Sequence, residues 1–187
     1  METFFEKMSG LNLPNSIFVD CTSSTDVTSF YEDILAANIS IVTPNKKANS
    51  ASMESYKRLK ETAFKRGVKF LYETNVGAGL PVINTMNDLL LSGDKVLRIE
   101  AVLSGTLNYI FSSFEEGRKF SDVVREAKEK GYTEPDPRDD LNGMDVARKI
   151  LILSRETGIE MDLSDIQVEN LVPEPCRGEM SIDQFFT

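Results

Sequence analysis

The sixteen residues from Glu134 to Lys149, EPDPRDDLNGMDVARK, carry five carboxylates and three cations. The chain contains no histidine at all, which removes Ser-His-Asp and Cys-His catalysis, most zinc sites and the commonest general base near neutral pH. Acid–base chemistry must therefore fall to carboxylate, lysine, tyrosine or water. Asp145 and Lys149 stand four apart, which on a helix stacks them on one face about 40° apart. One reading is a surface ion pair worth about 0.3–0.5 kcal/mol; the other is a lysine at the border of the core that exchanges protons with a substrate, beside acids that hold a cationic amine. A Mg²⁺ or Ca²⁺ site is a third reading, disfavoured by Lys149 beside the acids and by the absence of the calcium-loop order of ligands.

These residues must be positioned by a helix start. Asp136 before Pro137 is a cap followed by a first-turn proline, and Arg138, Asp139 and Asp140 fill the first turn, where carboxylates favour the helix dipole. The pattern predicts one helix from there to about Arg155, burying Val146, Ile150 and Leu153. Gly143 inside it costs about 1 kcal/mol relative to alanine and implies a close approach to the backbone.

Upstream, SIFVDCTSS reads as a strand, with Ser24 or Thr25 capping a helix through Val27, Phe30, Tyr31, Ile34 and Leu35 that ends at Asn38. ISIVT is a second strand, a helix with Met53, Tyr56, Leu59 and Ala63 on one face stops at Gly67, and VKFLY is a third strand. This βαβαβ order predicts a parallel sheet. The glycine-rich turn ETNVGAGLPV then leads, with Pro81 at the first helical position, into a helix that ends at Gly93. Next come an expected strand KVLRIEAVLS, a helix bearing Leu107, Ile110, Phe111 and Phe114, a helix SDVVREAKEK stopped by Gly131, and a last expected strand through Ile166, Val168 and Leu171. The expected class is α/β: the C-terminal portion of a Rossmann-type parallel sheet over 1–72, then an α+β catalytic and dimerisation domain over 73–187. No Gly-x-Gly-x-x-Gly follows a strand, and the pair Gly77 and Gly79 lacks the third glycine of a phosphate fingerprint.

The 187 residues suffice to bury a core without metal or disulfide. A net charge of −9 argues against binding nucleic-acid backbone or an anionic membrane surface. No apolar run approaches the roughly 18 residues of a span, and the N-terminus lacks the pattern of a secretory signal. Cys21 and Cys176 are far apart and without metal-ligand spacing, so they read as small buried hydrophobes of a reduced, cytoplasmic protein.

Four stretches, GYTEPDPRDDLNGMDVARK, TPNKKAN, TNVGAGLPVI and LSGTLNYI, resemble the signature segments of the homoserine dehydrogenase family, especially the form fused behind aspartokinase in threonine and methionine biosynthesis. The resemblance runs over nearly the whole chain. It implies hydride transfer between L-homoserine and L-aspartate 4-semialdehyde with NADP or NAD. Position by position it implies that Lys149 shuttles the proton, that Asp145 binds substrate near the reacting hydroxyl, and that Glu134 holds the homoserine ammonium with Asp140 supporting the same pocket. Lys46 matches a lysine reaching cofactor and substrate, while Thr22, Ser23 and Pro44 match strand ends facing the nicotinamide. The backbone carbonyls of Glu73, Val76, Ala78 and Leu80 match a monovalent-cation site, usually sodium. A homodimer and a covalent aspartokinase partner are further implications.

The family's glycine-rich phosphate loop is expected before residue 1 and a closing segment of its nucleotide domain after Thr187. A reading from a different class is a non-catalytic substrate-binding and dimerisation module. A thioester-forming semialdehyde dehydrogenase is disfavoured, because neither cysteine has a histidine to activate it.

Overall fold

The computed structural model describes residues 1–186. The chain folds as two compact units, one comprising 1–97 and 148–165, the other 98–147 and 166–187.

The first unit opens with helix α1 (Glu2–Leu11) and strand β1 (Ile17–Val19). Short helix α2 (Thr25–Thr28) is capped by the Ser24 hydroxyl, which accepts from the Val27 amide at 3.4 Å. Helix α3 (Tyr31–Ala36) follows, so the single helix expected here is broken in two. The Thr28 and Ser29 hydroxyls donate back to the carbonyls of Thr25 and Asp26 at 2.9 and 2.7 Å, the side-chain competition that weakens a helix ladder. Asn38 turns the chain at φ +60° into β2 (Ser40–Val42). Ser52 caps α4 (Met53–Arg66), Gly67 ends it, and β3 (Phe70–Leu71) completes a parallel sheet of order β1-β2-β3. The expected βαβαβ order is observed.

Register determines which face of this sheet is covered. Phe18, Ile41 and Phe70 align across the three strands and pack with Tyr31, Ile34, Leu35, Leu59 and Ala63 in one core. The alternate residues point the other way, and Ile17, Val19, Val42 and Leu71 remain 57, 61, 37 and 50 % exposed. Cys21, expected to be buried, is exposed, while Cys176 is half-buried, and both are free thiols.

A short 3₁₀ turn at Glu73–Asn75 leads to α5 (Val82–Leu91), whose amides at Ile83 and Asn84 are capped by the Glu73 carboxylate, both at 2.8 Å. Pro81 is the N-cap, one place earlier than expected. The expected strand over Lys95–Ser104 does not form. Leu97 and Val102 are 93 and 75 % exposed, and among the described residues no strand lies beside this apolar run to satisfy its backbone.

The second unit holds α6 (Gly105–Ser113), capped by Ser104, and α7 (Phe120–Glu129). Asp136 caps α8 (Pro137–Leu141), with Pro137 at the expected position. Ile110, Val123, Val124, Ala127, Leu141 and Val172 form the core of this unit. Helix α9 (Met144–Glu156) does not continue α8. Gly143 has φ +75°, and a Cβ there would meet Val168 Cγ1 at 2.8 Å. The glycine therefore interrupts the predicted helix instead of sitting inside it, and the close approach it implied comes from Val168. In α9, Val146 and Ile150 are half-buried, while Ala147, Leu151, Ile152 and Leu153 are buried. The last expected strand is also absent; instead the Leu171 amide donates to the Leu141 carbonyl at 3.0 Å. Among the described residues the last helix is α10 (Ile182–Phe185).

Candidate active site

In the first unit, Thr22, Ser23 and Pro44 lie just beyond the C-terminal ends of β1 and β2 and are exposed. Open parallel sheets present ligand crevices at that edge. A buried hydrogen-bond system holds the loops in place. Asp20 is 2 % exposed; its carboxylate accepts from the Thr22 amide at 2.7 Å, the Tyr31 hydroxyl at 2.5 Å and the Asn45 side-chain amide at 3.0 Å. Burial pushes this carboxyl up, but the donors from Tyr31, Thr22 and Asn45 outweigh it, and the net shift is downward. Burial, reinforced by the neighbouring Asp20 carboxylate, pushes the Tyr31 hydroxyl up, so it remains a donor. The Asn45 side chain also donates to the Ser24 carbonyl at 3.0 Å, which ties the first loop to the second. Lys46 is half-buried, and its carbonyl accepts from the amide and hydroxyl of Ser50, both at 2.9 Å.

The same system extends to the glycine-rich turn. The Asn75 side chain donates to the Thr43 carbonyl at 3.1 Å and accepts from Asn49 at 2.9 Å. Gly77 and Ala78 are consecutive left-handed residues, φ +82° and +52°, and a Cβ at Gly77 would strike Val82 Cγ2 at 2.6 Å. The carbonyls of Glu73 and Leu80 each accept one turn hydrogen bond, from Val76 and Val82. A carbonyl has a second lone pair, so these contacts leave room for cation ligation by Glu73, Val76, Ala78 and Leu80. Among the described residues there is no cluster of three or more His, Cys, Asp or Glu arranged to hold a metal.

Lys149 also belongs to the first unit and is half-buried on α9. Near the end of that helix Arg155 is 3 % exposed and donates to the carbonyls of Asn49 and Met161, each at 2.9 Å. Burial pulls its pKa down, opposed by Asp162 and Tyr56.

In the second unit the Glu134 amide donates to Asp140 Oδ2 at 2.8 Å, so these two candidate residues are locked together. The Glu134 side chain is left to solvent and Asp140 is half-buried. Asp145 lies in the first turn of α9, half-buried. Asp136, by contrast, is structural: it pairs with Arg138 at 2.6 Å, and that pairing holds its carboxyl below the usual range despite burial. An open cleft of about 750 Å³ is lined by Asp136, Arg138, Asp139, Asn142 and Arg177 but by none of the candidate residues. Its arginines are spent on backbone carbonyls, Arg138 on Cys176, Gly178 and Met180 and Arg177 on Val172. The geometry therefore assigns it to holding the C-terminal segment.

Sequence reasoning missed Asp20, Tyr31, Asn45, Asn75 and Arg155. For Asp20, Asn45 and Asn75 the available signal was the run of polar residues immediately after each strand, where a backbone leaving the sheet needs side-chain partners; Tyr31 and Arg155, on helices, carry no such local mark.

Residues 81–184 match the family model of homoserine dehydrogenase, and residues 2–73 match that of the homoserine dehydrogenase NAD binding domain. The chloroplastic bifunctional aspartokinase/homoserine dehydrogenase 2 of Arabidopsis thaliana is 49 % identical over 186 residues, 99 % of this chain and 20 % of the relative. A homoserine dehydrogenase of Schizosaccharomyces pombe is 46 % identical over 176 residues, 91 % of this chain and 47 % of its own length. The chain thus spans about a fifth of the bifunctional relative and about half of the shorter one. A crystal structure of a Candida auris protein of unknown function superposes with a TM-score of 0.91 at 41 % identity, covering all of this chain and 53 % of that one. A hyperthermophilic archaeal homoserine dehydrogenase in complex with NADPH superposes at 0.70 with 29 % identity, over 81 % of this chain and 48 % of that one.

Proposed function

From the premise that this chain belongs to the homoserine dehydrogenase family, we propose that it forms the catalytic region of an enzyme interconverting L-homoserine and L-aspartate 4-semialdehyde. The observation that best supports this reading is the extended match to homoserine dehydrogenases together with the Asp140 lock on the Glu134 backbone. The lock fixes the Glu134 backbone while its side chain stays open to solvent, as capture of an ammonium requires. Glu134 holds the substrate amine and Asp140 supports it. Asp145 orients the reacting hydroxyl, and Lys149 takes or returns its proton. NADP or NAD, when bound, supplies the hydride chemistry. The strand-end residues fit the nicotinamide half: Thr22, Ser23 and Pro44 are exposed on loops braced by Asp20 and Asn45, and Lys46 stands on the neighbouring turn. No Gly-x-Gly-x-x-Gly is present in these residues, so the pyrophosphate grip is not among them.

A monovalent cation, sodium, at the carbonyls of Glu73, Val76, Ala78 and Leu80 would fasten the turn after β3. The partners proposed are homoserine, a second copy of the chain and a covalently attached aspartokinase of the kind named in the bifunctional relatives. Among the described residues no helix is long and apolar enough to cross a membrane, and a reduced compartment, the cytoplasm, suits the two free thiols. The domain division proposed is 1–72 for nucleotide binding and 73–187 for catalysis and dimerisation.

The test is nicotinamide reduction by the purified chain with L-homoserine, run beside calorimetry with homoserine alone. Homoserine-dependent reduction supports the enzyme. Because the pyrophosphate grip is not among these residues, binding without turnover leaves the chain by itself a substrate-binding module, and failure to bind homoserine overturns both readings.

A further inference from the structure

Among the charged groups the mechanism leaves unused, Glu156 is the most deeply engaged. Its side chain is only 4 % exposed. One carboxylate oxygen accepts from the Tyr56 hydroxyl at 2.9 Å and from the Tyr72 hydroxyl at 2.5 Å. The other accepts from the Asn87 amide at 3.3 Å and from Lys60 Nζ at 3.4 Å. Lys60 also donates to the Tyr72 hydroxyl. Four donors from α4, α5 and the residue after β3 thus converge on one carboxylate at the end of α9. Both phenols are pushed up, first by burial and then by the Glu156 charge, so they remain donors.

A buried carboxylate is costly to desolvate, and satisfying it fully yields orientation more than stability. The orientation it imposes has an obvious beneficiary. Lys149 lies seven residues upstream on the same helix, about 10.5 Å along the axis and about 20° away in azimuth. Both residues belong to the same compact unit. Arg155, next to Glu156, fixes the helix end in a second direction through Asn49.

We propose that Glu156 is a positioning residue: its clasp by Tyr56, Tyr72, Asn87 and Lys60 sets the rotation and axial register of α9 and so the place of the Lys149 ammonium. The inference rests on the reading of Lys149 as the proton carrier. A rotation of α9 by about 20° moves a side-chain tip at a radius of about 5–6 Å through about 2 Å. Misplacement by about 1 Å can cost on the order of 100-fold in rate.

The experiment compares the wild-type chain with Glu156→Gln and Tyr72→Phe. Two readouts are taken: homoserine turnover, and the ¹³C signals of reductively methylated lysines, with Lys149 assigned through Lys149→Arg. Glu156→Gln is expected to lower kcat by about 10- to 100-fold with homoserine KM within about threefold, and to displace the Lys149 signal at fixed pH. Tyr72→Phe, which removes one donor and keeps the ring, is expected to fall between. A merely stabilising carboxylate would lower the unfolding midpoint and leave the Lys149 signal in place. A folded Glu156→Gln with unchanged kcat and an unmoved Lys149 signal overturns the proposal. If Glu156→Gln does not fold, the same readouts on Tyr72→Phe decide. If the wild-type chain by itself shows no turnover with homoserine, the Lys149 signal alone decides the positioning role, and the enzyme reading is left to the homoserine-binding measurement.

Discussion

Replacing Gly143 by alanine tests the break between α8 and α9 most directly. Two costs combine there. The backbone stands at φ +75°, a conformation that costs an L-residue roughly 1–2 kcal/mol. The new Cβ would also sit 2.8 Å from Val168 Cγ1, an overpacking whose relief typically costs about 1–3 kcal/mol. The sum is about 2–5 kcal/mol. At about 2–4 °C per kcal/mol for a chain of this size, the transition falls by roughly 4–20 °C. Gly131→Ala supplies the control, because φ there is +72° but nothing lies within 4 Å of the built Cβ; it should show the backbone cost alone. Urea unfolding of Gly143→Ala, Gly131→Ala, Val168→Ala and the Gly143→Ala/Val168→Ala pair separates the terms. The double variant should recover the packing part, a favourable coupling of about 1–3 kcal/mol. Equal losses for the two glycine variants, or no coupling with Val168, would refute the close-approach argument.

The remaining expectations concern charge. Lys149→Ala, made in the full-length parent, should lower kcat by at least about 100-fold with the fold intact, and a folded variant keeping more than about a tenth of the parent kcat would remove the proton-carrier role. Glu134→Gln should chiefly raise the homoserine KM, because the charge pairs with the ammonium in ground and transition states alike; a fall in kcat at constant KM would move the residue from binding to chemistry. Glu126 is held down to about 2 by hydrogen bonds from Lys130, Arg118 and Tyr109. A depressed carboxyl contributes stability above its unfolded pKa, 4.5, and loses it as pH falls through the folded value. Acid titration of unfolding should therefore show a loss between about pH 4.5 and 2 that is diminished in Glu126→Gln, and parallel curves for the two proteins would contradict it.

Local features were the legible ones. Ser24 and Asp136 mark helix starts because a cap bonds to amides two or three residues away, within the span a reader scans, whereas Ser104, read as the end of a strand, caps α6. The three parallel strands were legible because a helical segment returns the chain between each successive pair. The segments Lys95–Ser104 and Ile166–Leu171 misled because apolar pattern measures only how a strand would face its surroundings, whereas forming one needs a neighbouring backbone. Gly143 was recognised as unusual but placed inside a helix, since neither its sign of φ nor its neighbour Val168 is written nearby. The acids at Glu134, Asp140 and Asp145 stood out as a composition, and the family resemblance supplied their roles. Glu156 looked like any charged residue at a helix end. Its partners Tyr56, Tyr72 and Asn87 are 100, 84 and 69 residues away, and burial of this kind emerges only when three elements meet.

The uncovered side of the β1-β2-β3 sheet, with Ile17, Val19, Val42 and Leu71 open to water, alters how these 187 residues will behave when handled by themselves. Environment-sensitive dyes that fluoresce on apolar surface normally report partial unfolding. Here the folded chain already offers them an exposed aliphatic patch. A dye-based melting curve would begin from a bright baseline, and brightness at room temperature would say nothing about loss of structure. Strongly excluded salts such as sulfate, which favour burial of apolar surface, would draw the molecules together at this patch while leaving the fold itself firmer.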